Sequence, residues 1–207
     1  ARWTQVEANS DLCLVEAYRP VLVNPTGHGD RVVGQIAMLL VDRGYHDEAL
    51  TLQAAQIERY RQEYDIWNLQ VSLGNQAAIL QARGELDQAM AMHKEQEQAC
   101  RALAERGDAA GFAGLGHCLK GQAAILYDRG ALRRAMALLK DQERIFRKLG
   151  DRAGLRESLS NQAVILRDVG NLDDAMNLNR KVERICRELG DKAGLAGCLG
   201  NQALILK

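Results

Sequence analysis

Histidine and cysteine are the side chains of this chain that could supply a nucleophile, a general base or a metal ligand. The cysteines form no CxxC pair, and their odd number does not complete a set of disulfides. His117 directly precedes Cys118, but adjacent helical residues point in different directions and no third group is indicated. No glycine-rich phosphate loop is present either. We therefore expect no enzyme activity, no catalytic residue, no metal site and no cofactor. The histidines and cysteines of the chain are His28, His46, His93, His117, Cys13, Cys100, Cys118, Cys186 and Cys198.

A glutamine and a glutamate recur at two matching positions of successive segments. This pattern indicates hydrogen bonding rather than catalysis. In one segment both positions hold isoleucine, Ile36 and Ile57, and this joint change predicts direct contact between the two positions. An unpaired buried polar group costs about 1–3 kcal/mol, so we predict a glutamine to glutamate hydrogen bond inside each segment. The set, a structural polar ladder, comprises Gln76, Glu97, Gln122, Glu143, Gln162 and Glu183.

An arginine follows each of these glutamates at a helical spacing that allows a salt bridge. The arginines are Arg101, Arg147 and Arg187. We interpret the ladder as a device that fixes the register between segments. A polar ligand site is the alternative.

These side chains are positioned by a repeat. Its glycine column, Gly44, Gly84, Gly130 and Gly170, advances in steps of 40, 46 and 40 residues. Such a period is typical of a solenoid of helical hairpins, in which each unit buries its apolar face on its neighbours. The predicted organisation is a capping helix and loop over 1–33, an array over 34–207 with copies at 34–73, 74–119, 120–159 and 160–199, and a partial fifth copy at 200–207.

Each copy reads as helix A, a glycine turn, helix B and a Gly-Asp turn. In the fourth copy Gly150 suits a left-handed helix C-cap and Asp151 the next N-cap, so helix A is predicted to run from there to Val169. Helix B is predicted over about Leu172 to Leu189. Before the array, residues 1–19 read as a helix and the stretch from Pro20 to Asp30, with both prolines of the chain, as a loop.

The segment between Leu103 and Lys120 is six residues longer than its counterparts and contains Gly107, Gly111, Gly114 and Gly116. Each glycine inside a helix costs about 1 kcal/mol relative to alanine. We therefore expect a longer loop or a frayed helix start here, with a hinge as a further expectation. A tolerated surface insertion is the alternative.

Composition argues against two classes of partner. Lys plus Arg and Asp plus Glu are 27 each, which is not the charge balance of a nucleic-acid or anionic-membrane binder. No apolar run long enough for a membrane span and no signal peptide are visible. We expect a cytoplasmic protein without nucleic-acid or membrane partners, its cysteines small and buried. Since the chain starts at Ala1 and stops within a repeat, we interpret it as part of a longer protein.

The repeat resembles the tetratricopeptide (TPR) family, in the 40-residue variety of Leu-Gly-Asn repeat proteins, kinesin light chains and bacterial sensor arrays. The resemblance covers residues 34–207 and implies an all-α, right-handed superhelical solenoid of antiparallel helical hairpins. Glutamine replaces the leucine that the family places after the first position. The family's W-x2-L-G-x2-Y and A-x3-F pattern falls on Leu73, Gln76, Ala77, Leu80, Ala89 and His93, on Leu119, Gln122, Ala123, Leu126, Ala135 and Leu139, and on Leu159, Gln162, Ala163, Leu166, Ala175 and Asn179.

The resemblance further implies that the A helices line a concave groove in which a partner binds. Small residues there leave room for an extended peptide or a partner helix, held by amide hydrogen bonds and a few charges. The family's carboxylate clamp is not evident, which argues against a receptor for chaperone tails. The expected groove residues are Asn75, Gln81, Lys120, Tyr127, Asp128, Asn161, Arg167 and Asp168.

The expected function is therefore a protein–protein interaction scaffold or sensor array that binds a peptide or partner segment. Two alternatives remain. The first is a structural or oligomerisation array, with self-association through an uncapped C-terminal end that carries Ala203, Leu204, Ile205 and Leu206. The second is the regulatory sensor region of a larger effector protein, such as an ATPase switch or a protease.

Overall fold

The structure is a computed structural model that describes residues 18–21, 23 and 30–206. The described part is all-α and contains no strand, which confirms the predicted fold class. Its long helices alternate as A and B helices of successive hairpins. They are α1 Asp30–Asp42, α2 His46–Gln62, α3 Ile66–Ala82, α4 Leu86–Glu105, α5 Ala109–Asp128, α6 Leu132–Leu149, α7 Arg152–Asp168, α8 Leu172–Leu189 and α9 Lys192–Ile205.

The chain divides into two compact units, Ala1–Met92 and His93–Lys207. In the first unit α2 packs against both α1 and α3. In the second unit each helix from α5 to α9 packs against the next, and α7 also contacts the A helices α5 and α9. A B helix is therefore shared by the A helix of its own hairpin and the A helix of the next.

The turns between helices follow the predicted glycine and aspartate chemistry. Gly150 caps α6 and Gly190 caps α8 in the left-handed conformation, with φ of 69° and 66°. The Asp151 carboxylate accepts a hydrogen bond from the Gly154 backbone N–H at 3.0 Å and so caps α7. These caps and the bounds of α8 were predicted and are confirmed. Because glycine and aspartate favour such termini intrinsically, they divide the chain into short helices.

One turn departs from this chemistry. Tyr64 has a φ of 56° and follows α2 where Gly150 follows α6. Asp65 N–H donates to the Tyr60 carbonyl as Asp151 N–H donates to the Phe146 carbonyl, so the two turns are equivalent. The Tyr64 side chain is 89% exposed. A side chain in this conformation costs about 1–2 kcal/mol, so burial of Tyr64 does not offset its strained backbone.

The six inserted residues lengthen two helices rather than a loop. The A helix α5 has 20 residues, against 17 in the A helices α3 and α7, and it begins at an Asp108 cap. The B helix α4 has 20 residues, against 18 in the B helices α6 and α8. The expected longer loop or frayed start is therefore wrong. The glycines are tolerated because neighbouring groups lie against them. A Cβ on Gly111 would fall 2.4 Å from the Ala104 backbone nitrogen.

Phe146 lies at the centre of the second unit. Its ring is fully buried and packs with Leu155, Leu159 and Val182 in one apolar cluster. A Cβ on Gly116 of α5 would fall 2.5 Å from the ring, and one on Gly154 of α7 would fall 2.6 Å from it. The ring of this B-helix residue therefore fits between two A helices that carry no side chain at the point of contact.

The predicted N-terminal capping helix and loop lie largely outside the described residues. Residues 18–21 and 23 are helical, so the predicted loop does not begin at Pro20. Val21 is 7% exposed and belongs to the core of the first unit with Val33, Leu40 and Leu52. Val21, directly after the proline, therefore contributes to the core that α1 and α2 form.

Among the described residues no helix is long and apolar enough to cross a membrane.

Candidate functional site

The A helices α5 and α7 of the second unit enclose a pocket of about 170 Å³. Its floor is formed by the apolar residues Ala123, Leu139 and Ile165, which are at most 4% exposed. Polar groups stand at its edge. The lining residues are Lys120, Ala123, Ala124, Tyr127, Leu139, Asn161, Val164 and Ile165. Lys120, Tyr127 and Asn161 were expected from the sequence as groove residues, whereas the apolar floor was not.

Two polar contacts tie α5 to α7 on either side of this pocket. The Lys120 ammonium donates to the Glu157 carboxylate at 3.2 Å. The Tyr127 hydroxyl donates to the Asp168 carboxylate, which also accepts from the Arg167 guanidinium at 2.8 Å. The hydrogen bond raises the pKa of Tyr127 and lowers the pKa of Asp168. Tyr127, Arg167 and Asp168 therefore form one charged cluster at the end of the pocket.

A second and more open pocket of about 450 Å³ lies between α7 and α9. Asn161 and Val164 line both pockets, so the two form one continuous groove over the A helices of the second unit. Its floor contains the small residues Ala193, Gly194 and Gly197. Arg156 contacts Asp191 at 3.3 Å on its wall.

The remaining expected groove residues lie elsewhere. Asn75 is exposed and Gln81 half-buried on α3, in the first unit. Asp128 is the exposed last residue of α5 and does not line the pocket. The structure therefore brings Lys120, Tyr127 and Asn161 together, with Arg167 and Asp168 at their edge.

No family model matches this sequence, and no curated protein matches it. Solved structures do match its fold. The crystal structure of BtubC (BKLC) from P. vanneervenii superposes with a TM-score of 0.75 over 99% of this chain and 83% of that one, at 18% identity. A Pyrococcus horikoshii signal transduction ATPase with numerous domains (STAND), which has a tetratricopeptide repeat sensor, gives 0.71 over 98% of this chain at 16% identity.

The chain has a TPR-like fold. A kinesin light chain candidate from P. anserina with nearly identical TPR-like repeats agrees with a TM-score of 0.66 over 84% of both chains at 15% identity. The chain corresponds to only 32% of the STAND protein. At these identities the similarity establishes the fold and not the activity.

Within this TPR-like fold the glutamine–glutamate bonds join consecutive hairpins. Gln122 of α5 donates to Glu97 of α4 at 2.7 Å. Gln162 of α7 donates to Glu143 of α6 at 2.8 Å, and Gln202 of α9 donates to Glu183 of α8 at 2.8 Å. The prediction of a bond inside each hairpin is therefore wrong. The glutamate column of each B helix faces the next A helix rather than its own.

The same register corrects the argument from the two isoleucines. Ile57 of α2 holds the position of the glutamates and is 2% exposed. The A helix that follows it is α3, whose corresponding residue is the half-buried Gln76. Ile36 and Ile57 are therefore not the two partners of one such contact, and their joint change does not result from pairing.

The predicted arginine contacts are present in all three junctions and are confirmed. Arg147 contacts Glu143 at 2.7 Å and Arg187 contacts Glu183 at 2.6 Å, while Arg101 pairs with Glu97. Each glutamate thus offers one oxygen to the glutamine and the other to the arginine. Burial raises the pKa of Glu143, but hydrogen bonds from Gln162 and Arg147 outweigh it and lower the pKa overall.

The described cysteines are buried and free, as predicted for small core residues. Burial raises the pKa of Cys100 to about 12 and also raises that of Cys118. A thiol must ionise to act as a nucleophile, so these two are unsuited to that role at neutral pH. Cys13 lies outside the described residues. In the described part no cluster of three His, Cys, Asp or Glu side chains could hold a metal ion.

His93 is a packing residue. It is 5% exposed, its Nδ1 lies 3.1 Å from the Gln96 Oε1, and burial lowers its pKa. A Cβ on Gly121 would fall 2.1 Å from the ring. The residue of α7 that corresponds to Gly121 is Asn161. An asparagine at Gly121 would fill the space that the His93 imidazole occupies. His117 is exposed and meets the Phe146 ring edge-on at 6.0 Å.

Proposed function

We propose that this chain is a protein-interaction module that binds an extended segment of a partner protein across α5, α7 and α9. The observation that supports this proposal is the continuous groove whose two parts share Asn161 and Val164. Its floor is apolar or small, and polar groups stand along its edges. Such a surface suits a peptide, because apolar pockets supply affinity and a few polar groups fix orientation.

The groove asparagines are placed to bind the backbone of such a segment. Asn161 makes no side-chain hydrogen bond to any other described residue. Its amide offers two donors and an acceptor, which matches the N–H and C=O groups of an extended chain. Asn201 lines the same groove from α9. Because the two amides come from successive A helices, α7 and α9, an extended ligand can use both.

The test is selection of peptides from a random displayed library, followed by measurement of their dissociation constants by fluorescence anisotropy. Changing Asn161→Ala together with Val164→Gln is expected to weaken binding at least about tenfold, since a hydrogen bond and apolar contact are both lost. The matched control is Arg144→Gln on α6, whose side chain is 78% exposed and does not line the groove. Equal loss in both variants, or no selected peptide, would contradict the proposal.

Self-association is a second candidate function, favoured by a bare apolar face on α9. Leu199 is 45% and Leu206 is 79% exposed, whereas Leu159, which corresponds to Leu199, is 2% exposed in α7. In the hairpin of α7 and α8, the corresponding face of α7 is covered by α8. We propose that the same face of a second copy covers it here.

Sedimentation equilibrium tests this second candidate. The mass is expected to rise with concentration above the 22.9 kDa of one chain, because contact between the two faces removes the exposed parts of Leu199 and Leu206 of both copies from water. Changing Leu199→Glu and Leu206→Glu should hold the mass at that of one chain, while Val169→Gln, at a 55% exposed residue of the α7–α8 turn, should not. A constant mass for the unmodified chain would exclude this candidate. A sensor role in a larger effector remains a prediction.

A further inference from the structure

The α5–α7 pocket has the size of a single side chain. Its volume of about 170 Å³ lies below the roughly 300–1,000 Å³ of pockets that hold drug-sized ligands. The pocket opens into the groove through Asn161 and Val164, which line both parts. A segment lying in the groove can therefore place one side chain here without leaving it.

The lining of the pocket selects an aliphatic side chain. Ala123, Leu139 and Ile165 form a buried floor, and Ala124 and Val164 form the walls. None of these five residues has a side-chain polar atom, so a polar group placed among them would lose its hydrogen bonds to water without replacement. Leucine and isoleucine fill such a site with apolar contact and carry no polar atom.

Lys120 supplies a charge at the edge of this pocket. Its side chain is 38% exposed, and that of its partner Glu157 is 36% exposed. An ion pair this accessible contributes at most about 1 kcal/mol, so a carboxylate of the ligand can replace Glu157 at little cost. Arg167, at the opposite end, already binds Asp168 at 2.8 Å, and that carboxylate also accepts from Tyr127. Of the two cations at the ends of this pocket, Lys120 therefore has the more exposed ion pair and is the one that a ligand carboxylate can recruit.

Lys120 lies close to the pocket that would hold the aliphatic side chain. It lines that pocket itself and is one helical turn from Ala124, about 6 Å along α5. A residue of the segment near the aliphatic one can therefore pair with it. From this proximity we infer that the groove recognises a segment with a leucine or isoleucine in the α5–α7 pocket and a nearby acidic side chain paired with Lys120. The inference rests on the proposed function, whose ligand it specifies.

The test uses decapeptides acetylated and amidated at their ends, so that no terminal carboxylate is present. A positional-scanning library should select leucine or isoleucine with aspartate or glutamate at a nearby position. In the best peptide, replacing the aliphatic residue by alanine is expected to weaken binding about 10- to 100-fold. Replacing the acid by its amide is expected to weaken it about fivefold.

Two variants of the protein assign these preferences to their residues. Lys120→Ser, which introduces the residue found at Ser160 in the next hairpin, should abolish the difference between acid and amide and leave the aliphatic preference. Ala124→Leu, which introduces the residue found at Leu204, should fill the pocket and abolish the aliphatic preference alone. Unfolding midpoints equal to that of the unmodified chain exclude misfolding as the cause.

The outcomes separate this inference from the proposed function. Selection of aromatic or basic residues, or an acid preference that survives Lys120→Ser, overturns the inference while peptide binding in the groove stands. If no peptide of either library binds, the proposed function and the inference fail together.

Discussion

Replacing Phe146 with alanine is expected to lower the free energy of unfolding of this chain by about 3–5 kcal/mol. The ring is fully buried and lies between α5 and α7, against Gly116 and Gly154. These glycines have no side chain that could move into the space. The cavity therefore stays open, and contact is lost both within the third hairpin and between it and the fourth. Denaturant unfolding followed by circular dichroism measures the loss.

A second substitution tests whether the Phe146 ring needs the space that Gly116 leaves. Gly116→Ala in the unmodified chain places a Cβ 2.5 Å from the Phe146 ring and should destabilise by about 1–3 kcal/mol. In the Phe146→Ala background the space is free, and the same change should stabilise by up to about 1 kcal/mol because alanine favours the helix. An effect of the same sign in both backgrounds would show that Gly116 is not required for the ring. Gly34, whose added Cβ meets nothing within 4 Å, is the control position.

The local signals in the sequence were sufficient to predict the turns that bound α6, α7 and α8. Gly150, Asp151 and Gly190 specify their turns through backbone conformation and a carboxylate cap, which depend on a few neighbouring residues. The insertion before Lys120 was different. Extra residues can lengthen a loop or extend the two flanking helices, and the number of inserted residues does not distinguish the two. The decision came from packing, because Gly111 and Gly116 lie against neighbouring groups that exclude a side chain.

The polar residues of the groove could be predicted from the sequence, whereas its apolar floor depends on packing and could not. Polar residues on an inner helix face are visible as a pattern, so Lys120, Tyr127 and Asn161 could be selected from the A helices. The floor includes Leu139 of the B helix α6. An apolar residue at a core position gives no sign that it borders a pocket, so periodicity alone did not find it.

The ladder shows the same limit for pairing between elements. In a regular repeat, a contact with the preceding copy and a contact within one copy give the same column pattern. The periodic sequence therefore predicted that glutamine and glutamate would pair but not which copies would supply them. The answer follows from the face of each B helix that carries the glutamate, because that face meets the next A helix.

Replacing Gln122 with leucine is expected to destabilise the chain by about 1.5–3 kcal/mol, the contribution of a hydrogen bond to a charged group. Gln122 is 6% exposed, and the side chain of its partner Glu97 is 14% exposed. Without the amide, one oxygen of that carboxylate stays buried with no donor. Changing Glu97→Leu as well removes the stranded charge, and an apolar pair of similar shape can be nearly neutral. The buried Ile57 shows that this column accepts an apolar residue.

The double-mutant cycle distinguishes the two registers. For Gln122 and Glu97 the coupling energy should exceed about 1 kcal/mol, whereas for Gln122 and Glu143 the two changes should add to within about 0.5 kcal/mol. Glu143 is a matched control because it belongs to the same column and binds a different glutamine, Gln162, at 2.8 Å. Coupling to Glu143 instead of Glu97 would show that the bond forms within one hairpin. Coupling to Glu97 means that the ladder stabilises the junctions between consecutive hairpins.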